Sequence, residues 1–348
     1  MHREGPNRMQ RALLTGATGF LGSYVLENLL QAGMQVRCLV RDLERSETLQ
    51  QPGVERFLGD LSDPQALGHA VRNVDLVIHL GGLMTALSSQ TFEKINGAGT
   101  ESLARACAEI TSPPILIFVS SIAAAGTAIE GHPRSEADGV RPVSHYGRSK
   151  RSGELAAASF ADRVPTTILR PPFVFGGGDR SGFYLFRPVK RFGIHPVPGM
   201  RHRRKISLVH AKDLADGIML VADRGTRVDV RDATEESFRQ GCYFVCDDAT
   251  PRYSQLGDMI GNAMGKDHVV KLPVPDMIAC TAGGMASVLA RLRGRASVFS
   301  LDKAREGVAG SWVCSAERIK QELGFKPAAS LEQRIQETVD WYSERGWF

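Results

Sequence analysis

The sequence predicts an α/β fold, a doubly wound parallel sheet with helices on both faces, followed by a smaller, mostly helical C-terminal lobe. Three observations support this prediction. Short apolar runs alternate with helical patterns over the first 170 residues, as they do in βαβ units. A glycine-rich turn joins the first predicted strand to the first helix. Beyond Arg170 the alternation breaks, and proline and glycine become dense between Pro171 and Gly199.

Each element of the sheet is predicted from an apolar run of strand length. In order, these runs are RALLTGA, QVRCLVRD, VERFLGDL, DLVIHLGG, PILIFVSS and TTILRPPFVFG. Segments such as FLGSYVLENLLQAG, between the first two runs, carry apolar residues at helical spacing. The C-terminal segment AERIKQELGFKPAASLEQRIQETVDWYSERGW predicts two amphipathic helices joined by a Gly/Pro turn.

Composition argues against several classes of partner. The chain has 348 residues, a formal net charge of +5 and 7% aromatic residues, whereas nucleic-acid binders concentrate basic charge and stacking aromatics. The six cysteines lack metal-ligand spacing, which favours reduced, buried thiols and no metal site. No apolar stretch approaches the ~20 residues of a membrane span, and no signal segment is recognised. We therefore expect a cytoplasmic protein that does not bind nucleic acid.

The turn after the first predicted strand reads TGATGFLG, from Thr15 to Gly22. Its regularly spaced glycines allow a tight turn, close approach of the backbone to a pyrophosphate, and close packing of the helix on the sheet. The free N–H groups at the start of the following helix favour an anion. The turn predicts a dinucleotide site that includes Gly16, Thr18, Gly19, Phe20 and Leu21.

The end of the second predicted strand bears on which dinucleotide is bound. An acidic side chain there holds the ribose hydroxyls of NAD, whereas an arginine accommodates the extra phosphate of NADP. Here the first side chain after Val40 is Arg41, followed by Asp42. Arg41 predicts a preference for NADP(H), and Asp42 leaves NAD(H) as the alternative.

Tyr146 and Lys150 stand four residues apart in YGRSK and therefore share one face of a helix. An ammonium beside a phenol favours the phenolate and lowers its pKa from the usual value of about 10. Ser121 ends the strand FVSS, at the edge where parallel sheets bind ligands. These residues predict acid–base chemistry with Tyr146 as the proton donor or acceptor.

Jointly, these motifs resemble the extended short-chain dehydrogenase/reductase family in order and spacing, over Arg11 to Phe348. The resemblance extends to the motifs GDL at 59–61, HLGG at 79–82, NGAGT at 96–100 and RPP at 170–172. It implies a Rossmann-type fold and an NAD(P)-dependent oxidoreductase with a small-molecule substrate. It also implies a homodimer formed through the helices around 90–110 and 146–160.

The same resemblance implies roles for individual residues. The catalytic set would be Ser121, Tyr146 and Lys150, with Asn96 near the site. Tyr146 would exchange a proton with the substrate oxygen, Ser121 would hydrogen-bond the same oxygen, and Lys150 would hold the nicotinamide ribose. Further cofactor contacts would come from Asp60, Leu61, Leu80, Gly81, Gly82, Pro171 and Val174, besides Tyr146 and Lys150.

Domain boundaries follow from these assignments. The predicted segments are a disordered tail at 1–10, a dinucleotide-binding domain at 11–175, an excursion into the substrate lobe at 176–205, a return to the core at 206–225, and at 226–348 mainly the substrate-binding lobe, with a strand near 242–247 returning to the core sheet.

Two branches of the family compete for the function. Nucleotide-sugar epimerases carry an arginine seven residues before the Asp of their V-x-D-L-A segment, and here that position is Ile206. The helix that runs without charge from Met277 to Ala290, followed by Arg291, Arg293 and Arg295, is similar to the reductase and hydroxysteroid dehydrogenase branch. It is interpreted either as an ordinary lobe helix or as a peripheral membrane contact.

We therefore predict an NADP(H)-preferring oxidoreductase that interconverts a secondary alcohol and a ketone on a largely apolar, sterol-, terpenoid- or flavonoid-like molecule. An NAD-dependent nucleotide-sugar epimerase or dehydratase is the alternative.

Overall fold

The computed structural model of the chain describes residues 9–199, 204–231, 233–234 and 236–348. Residues 1–8 of the predicted tail lie outside these ranges, as do Arg201 to Arg203 of the basic run before Ile206.

Eleven strands are formed by the described residues. They are β1 (Arg11–Thr15), β2 (Gln35–Val40), β3 (Val54–Leu58), β4 (Leu76–His79), β5 (Ile115–Val119), β6 (Thr166–Arg170), β7 (Phe173–Phe175), β8 (Ile194–Pro198), β9 (Leu208–His210), β10 (Cys242–Phe244) and β11 (Val270–Val274). Seven of them build one sheet in the order β10-β6-β5-β4-β1-β2-β3, and every neighbouring pair in it is parallel. This order confirms the predicted Rossmann-type sheet.

The α-helices lie between and after these strands. They are α1 (Phe20–Gln31), α2 (Pro64–Ala70), α3 (Ser89–Phe92), α4 (Gly99–Ala108), α5 (Ile122–Ala125), α6 (His145–Ala158), α7 (Phe183–Phe192), α8 (Ala211–Arg224), α9 (Tyr253–Ala263), α10 (Asp276–Leu292), α11 (Leu301–Ala309), α12 (Glu317–Leu323) and α13 (Leu331–Glu344). A 3-10 helix covers Glu44–Leu49, and a π-helix covers Glu93–Ala98. No helix among the described residues combines the length and apolar character needed to cross a membrane.

The sheet is buried on both faces, which explains why its strands read as continuous apolar runs rather than alternating ones. Helices α1 and α8 cover one face with side chains such as Leu29 and Ile218. Helices α2, α4 and α6 cover the other face with side chains such as Leu67, Leu103 and Ala157. The order of strands along the chain runs outward from β1 to β3 on one side of the sheet and from β4 to β10 on the other. The reversal between β1 and β4 opens a crevice at the carboxyl ends of these strands.

The second lobe has its own apolar core. Helices α7, α9 and α13 contribute the buried residues Phe186, Ile260 and Tyr342, respectively. β7 pairs with β9, and β8 pairs with β11, so the chain crosses between the two lobes several times after β6. The strand β10 lies within 242–247 and pairs with β6 at the edge of the large sheet.

A buried charge pair ties α6 to β6. Glu154 accepts two hydrogen bonds from the Arg170 guanidinium, at 2.8 Å from Nε and 2.7 Å from Nη2, and a third at 2.8 Å from Arg151. Both Glu154 and Arg170 have fully buried side chains. Burial alone would raise the pKa of the Glu154 carboxyl, but Arg170, Arg151 and Ser120 hold this pKa below its usual range.

We expect Glu154→Gln to lower the free energy of unfolding by about 3–5 kcal/mol, because the Arg170 charge would stay buried without its counter-ion. Denaturant unfolding followed by circular dichroism measures the change. The matched control is Glu101→Gln, which breaks an exposed pair with Arg105 and should cost about 0.5 kcal/mol or less. Equal losses in the two variants would contradict this account of the buried pair.

Candidate active site

The glycine-rich turn forms a backbone cradle at the start of α1. Gly16 has φ +76°, and a Cβ there would lie 3.0 Å from the backbone of both Leu80 and Gly81. A Cβ on Gly22 would collide with the Gly16 carbonyl oxygen, so that glycine permits close packing of the helix on the turn. α1 has no side-chain cap, and its N-cap residue is Gly19. The first N–H groups of α1 are thus available to an anionic group.

Thr18 and Gly19 are exposed at this turn, and Phe20 and Leu21 are half-buried. A cleft of about 610 Å³ begins there and follows α1 toward Thr48 and Gln51. The cleft includes Thr18, Gly19 and Phe20 in its lining but not the predicted catalytic residues.

Arg41 and Asp60 lie close together at the carboxyl ends of β2 and β3. Two hydrogen bonds from Ser62, with the charges of Arg41 and Lys94, hold the pKa of the Asp60 carboxyl below its usual range. Asp42 instead caps the next turn, because its Oδ1 accepts from the N–H groups of Glu44 and Arg45 at 2.9 and 3.1 Å. Arg41 is exposed, and Leu61 beside Asp60 is buried.

The residues that follow β4 are held in place by buried polar side chains. His79 lies between two threonine hydroxyls, with Nδ1 2.6 Å from Thr15 and Nε2 3.1 Å from Thr100. Burial and the nearby Lys150 lower the pKa of His79 to about 3, so the ring is neutral. Thr15 also accepts a hydrogen bond from the Gly81 N–H at 3.0 Å. This arrangement fixes Leu80, Gly81 and Gly82 along the crevice.

Asn96 links this loop to α6. Its side chain accepts from the Leu83 N–H at 2.7 Å and donates to the Leu83 carbonyl at 3.0 Å and to the Ser149 hydroxyl at 2.9 Å. The residue is buried inside the π-helix, an element that is often found at functional sites. Asn96 therefore positions its neighbours, and its side chain is already fully engaged by them.

Ser121, Tyr146 and Lys150 meet at the carboxyl end of β5. Ser121 follows the strand and caps α5, since its Oγ accepts from the Ala123 N–H at 3.1 Å. It also lies close enough to Tyr146 to lower the pKa of the phenol. Lys150 donates from Nζ to the Val119 carbonyl at 2.8 Å and lies 4.4 Å from the centre of the Phe118 ring. The three predicted catalytic side chains are thus brought together.

The groups that shift the pKa of Tyr146 differ from those expected from the sequence. Burial raises the pKa of Tyr146 above its usual value, and Glu306 raises it further, whereas Lys303 and Ser121 lower it. Lys150 was expected to lower this pKa, but its own ammonium is turned to the Val119 carbonyl. Burial lowers the pKa of Lys150 to about 8, against the opposing effect of Glu154.

The residues that sequence reasoning missed belong to α11. Lys303 Nζ lies 4.4 Å from the centre of the Tyr146 ring and 2.7 Å from Glu306. Glu306 also accepts from the Ser144 hydroxyl at 2.5 Å. Asp302 accepts from the N–H groups of His145 and Tyr146 at 2.8 and 3.1 Å. The segment LDKAREG carries no motif of known chemistry, and only the fold brings it to the start of α6.

The segment after β6 lies beside Ser121. The Pro171 carbonyl accepts from the Ile122 N–H at 2.9 Å, and Pro171 is buried. Val174 is half-buried in β7. These two residues are therefore on the same side of the sheet edge as α5.

Ile206 has a structural reason to be apolar. It is 8% exposed and belongs to the core of the second lobe, with Phe175 and Leu208. Arg204 points elsewhere and binds Asp276 at 2.8 Å and the Gly307 carbonyl at 3.2 Å. Because residue 206 packs in the core, the absence of an arginine there is weaker evidence against the nucleotide-sugar branch than the sequence alone indicated.

The family model for the NAD-dependent epimerase/dehydratase family matches residues 12–233. The chain belongs to this family. As a member of its extended short-chain dehydrogenase/reductase group, it is an NAD(P)-dependent oxidoreductase, as the sequence predicted.

Relatives within this family have different substrates. The chain is 31% identical over 337 residues to a ceramide reductase of Caulobacter vibrioides, covering 96% of this chain and 95% of the relative. It is 29% identical to a sterol-4-alpha-carboxylate 3-dehydrogenase of Dictyostelium discoideum, covering 77% and 81%. A UDP-glucose 4-epimerase of Vibrio cholerae is 25% identical, covering 96% of both chains.

Solved structures share the fold at low identity. A dTDP-glucose 4,6-dehydratase of Bacillus anthracis in complex with NAD has a TM-score of 0.73 at 17% identity, covering 97% of this chain and 98% of that one. At this identity the likeness shows the fold alone.

Proposed function

We propose that this family member is an NADP(H)-preferring oxidoreductase that interconverts a secondary alcohol and a ketone on a largely apolar, lipid-like molecule. The observation that carries the proposal is the meeting of Ser121, Tyr146 and Lys150 at the carboxyl end of β5. The apolar substrate is supported by the relatives that are named as a ceramide reductase and a sterol-4-alpha-carboxylate dehydrogenase.

The residues of the crevice fit a dinucleotide. The uncapped start of α1 and the glycine turn suit a pyrophosphate, and Asp60 and Leu61 would lie near the adenine. Leu80, Gly81 and Gly82 would lie along the cofactor, with Pro171 and Val174 behind the nicotinamide. When bound, the cofactor supplies or accepts the hydride.

Ser121 and Tyr146 perform the proton chemistry in this proposal. Their hydroxyl groups bind the substrate oxygen, and Tyr146 donates a proton to it in reduction or accepts one in oxidation. The Lys150 ammonium lies next to Gly82, where a Cβ would be 3.9 Å from Nζ. This position suits contact with the nicotinamide ribose beside the reacting carbon.

Lys303 is an additional positioning residue for Tyr146. Its ammonium lies against the phenol ring and stabilises the phenolate. The ion pair with Glu306 holds the Lys303 ammonium in this position. Asp302 holds the first N–H groups of α6. The second lobe thereby contributes to the protonation state of the tyrosine.

Arg41 supports the NADP preference. Because Asp42 is engaged in its own turn, the exposed Arg41 is the side chain offered to the adenosine ribose at the end of β2. A guanidinium at this position matches a 2′-phosphate in charge and geometry.

A nucleotide-sugar epimerase or dehydratase is the second candidate. It is supported by the relative named as a UDP-glucose 4-epimerase, and the packing role of Ile206 removes part of the case against it. A purified protein that retains NAD and binds a sugar nucleotide would favour this candidate.

We also propose a cytoplasmic homodimer that contacts a membrane peripherally. The dimer would use α4 and α6, the helices around 90–110 and 146–160 that the family resemblance indicates. Membrane contact suits a substrate that partitions into lipid.

Tyr146→Phe should lower kcat for ketone-dependent NADPH oxidation by about 10²–10⁴-fold, because it removes the proton donor. NADP⁺ binding, measured by titration calorimetry, should change little. Tyr184→Phe is the matched control, since Tyr184 is an exposed tyrosine of α7. Full turnover by Tyr146→Phe would refute the proposed role.

Lys303→Met should raise the Tyr146 pKa, because a cation is removed from the phenol ring. In the oxidation direction the phenolate is the active form, so the rise of kcat/KM with pH should move about half to one unit toward alkaline pH. Lys303→Arg should restore the profile, and Lys326→Met, at an exposed and remote lysine, should leave it unchanged. An identical profile for Lys303→Met would show that the residue has no influence on Tyr146.

Arg41→Ala should weaken NADP⁺ binding at least about tenfold, equivalent to ~1.4 kcal/mol, with little effect on NAD⁺. The control is Arg45→Ala, a neighbouring arginine that is 89% exposed. If the unaltered protein binds NAD⁺ about tenfold more tightly than NADP⁺, the assigned preference is wrong.

A further inference from the structure

The side chains on the outward face of α10 are larger and more apolar than those on its inward face. In this helix, which is described throughout, only Gly283 and Ala290 are buried. The exposed fractions of its large apolar residues are 78% for Met277, 55% for Ile278, 70% for Met285, 56% for Val288, 44% for Leu289 and 80% for Leu292. This is the reverse of an ordinary surface helix, whose apolar face is turned to the core.

These exposed residues form one continuous stripe. Ile278, Met285, Leu289 and Leu292 recur at intervals of three, four and seven, so they stand one above the other along the helix. Contiguous apolar surface of this kind marks a site of interaction.

The inward face fixes the orientation of the stripe. A Cβ on Gly283 would lie 2.8 Å from the Cβ of Ala304 and 2.9 Å from the Ser300 carbonyl oxygen, so only glycine allows α10 to approach α11 this closely. The Ser287 hydroxyl accepts from the Leu301 N–H at 2.9 Å. The helix therefore cannot turn its large side chains inward without losing this contact.

Positive charge flanks the stripe at its C-terminal end. Arg291, Arg293 and Arg295 are all exposed. The sequence contains no acidic residue between Asp276 and Asp302, and Asp276 itself pairs with Arg204. An apolar face beside an uncompensated cationic end is complementary to an anionic lipid surface.

We propose that α10 docks on an anionic membrane surface. The helix lies in the plane of the bilayer, with its apolar stripe at the boundary of headgroups and acyl chains and its arginines among the headgroups. Its 17 residues extend ~26 Å, less than the ~30 Å hydrocarbon core. A bilayer suits the stripe because its anionic headgroups can pair with the three exposed arginines that flank the stripe, while its acyl chains cover the apolar side chains.

This inference deepens the proposed function, and it rests on that function for the lipid-like substrate. Helix α10 packs on α11, and α11 carries Asp302 and Lys303 to Tyr146. Docking through α10 therefore places the side of the lobe that adjoins the reactive tyrosine at the membrane, where an apolar substrate is concentrated.

Co-sedimentation of the full chain with vesicles tests the docking. We expect binding to vesicles that contain about one-third phosphatidylserine in phosphatidylcholine, and at least about tenfold weaker binding to phosphatidylcholine alone. Replacing Arg291, Arg293 and Arg295 by Gln should weaken binding about fivefold for each arginine, the equivalent of ~1 kcal/mol each. Met285→Asp combined with Leu292→Asp should weaken it at least about tenfold, because charges would enter the interface.

Matched controls are Ile129→Asp, at an apolar residue outside α10 that is 73% exposed, and Arg163→Gln, at an exposed arginine; both should bind as the unaltered protein does. Failure of the unaltered protein to bind anionic vesicles, or unchanged binding by the stripe variant, would overturn the proposal. So would a stripe variant that becomes monomeric in analytical ultracentrifugation while it still binds vesicles, because the stripe would then be a subunit interface.

Turnover of a detergent-dispersed ketone separates this inference from the proposed function. Stripe variants that retain turnover but lose vesicle binding support the docking. If the protein binds vesicles but does not oxidise NADPH when any lipid ketone is supplied, only the proposed function is refuted.

Discussion

The pairing of Glu154 with Arg170 is the constraint on which the site depends. Glu154, Lys150 and Tyr146 lie on one face of α6 at successive intervals of four residues. Because the buried carboxylate is fixed to the last residue of β6, it determines the rotation of α6 and the depth at which the other two side chains stand. Removing one partner leaves a buried charge uncompensated. The buried pair between α6 and β6 thus fixes the positions of Tyr146 and Lys150.

The other end of α6 is held by the second lobe. Asp302 binds the N–H groups of the first turn, and Glu306 joins Lys303 to Ser144. The tyrosine therefore lies between the large sheet and α11. In this arrangement, the lobe that would bind the substrate also sets the electrostatic surroundings of the proton donor.

Sequence reasoning predicted the sheet because six apolar runs of strand length alternate with helical patterns over the first 170 residues. It also anticipated the residues that meet at the sheet edge, since the carboxyl ends of parallel strands share one side. It could not find Asp302, Lys303 and Glu306, because α11 is adjacent to α6 only after folding. It also gave Ile206 a functional meaning, whereas the structure shows a core position. Packing in the second lobe could not be inferred from a motif.

The central claim is that hydride passes between the cofactor and the substrate with net oxidation or reduction. Its most direct test is to supply NADPH in which both hydrogens at C4 are deuterium, together with a lipid ketone, and to analyse the product by mass spectrometry. The account predicts one deuterium on the new carbinol carbon for each cofactor oxidised, and none with UDP-glucose. Epimerisation of a sugar nucleotide without net cofactor consumption, and no label in any lipid product, would contradict it.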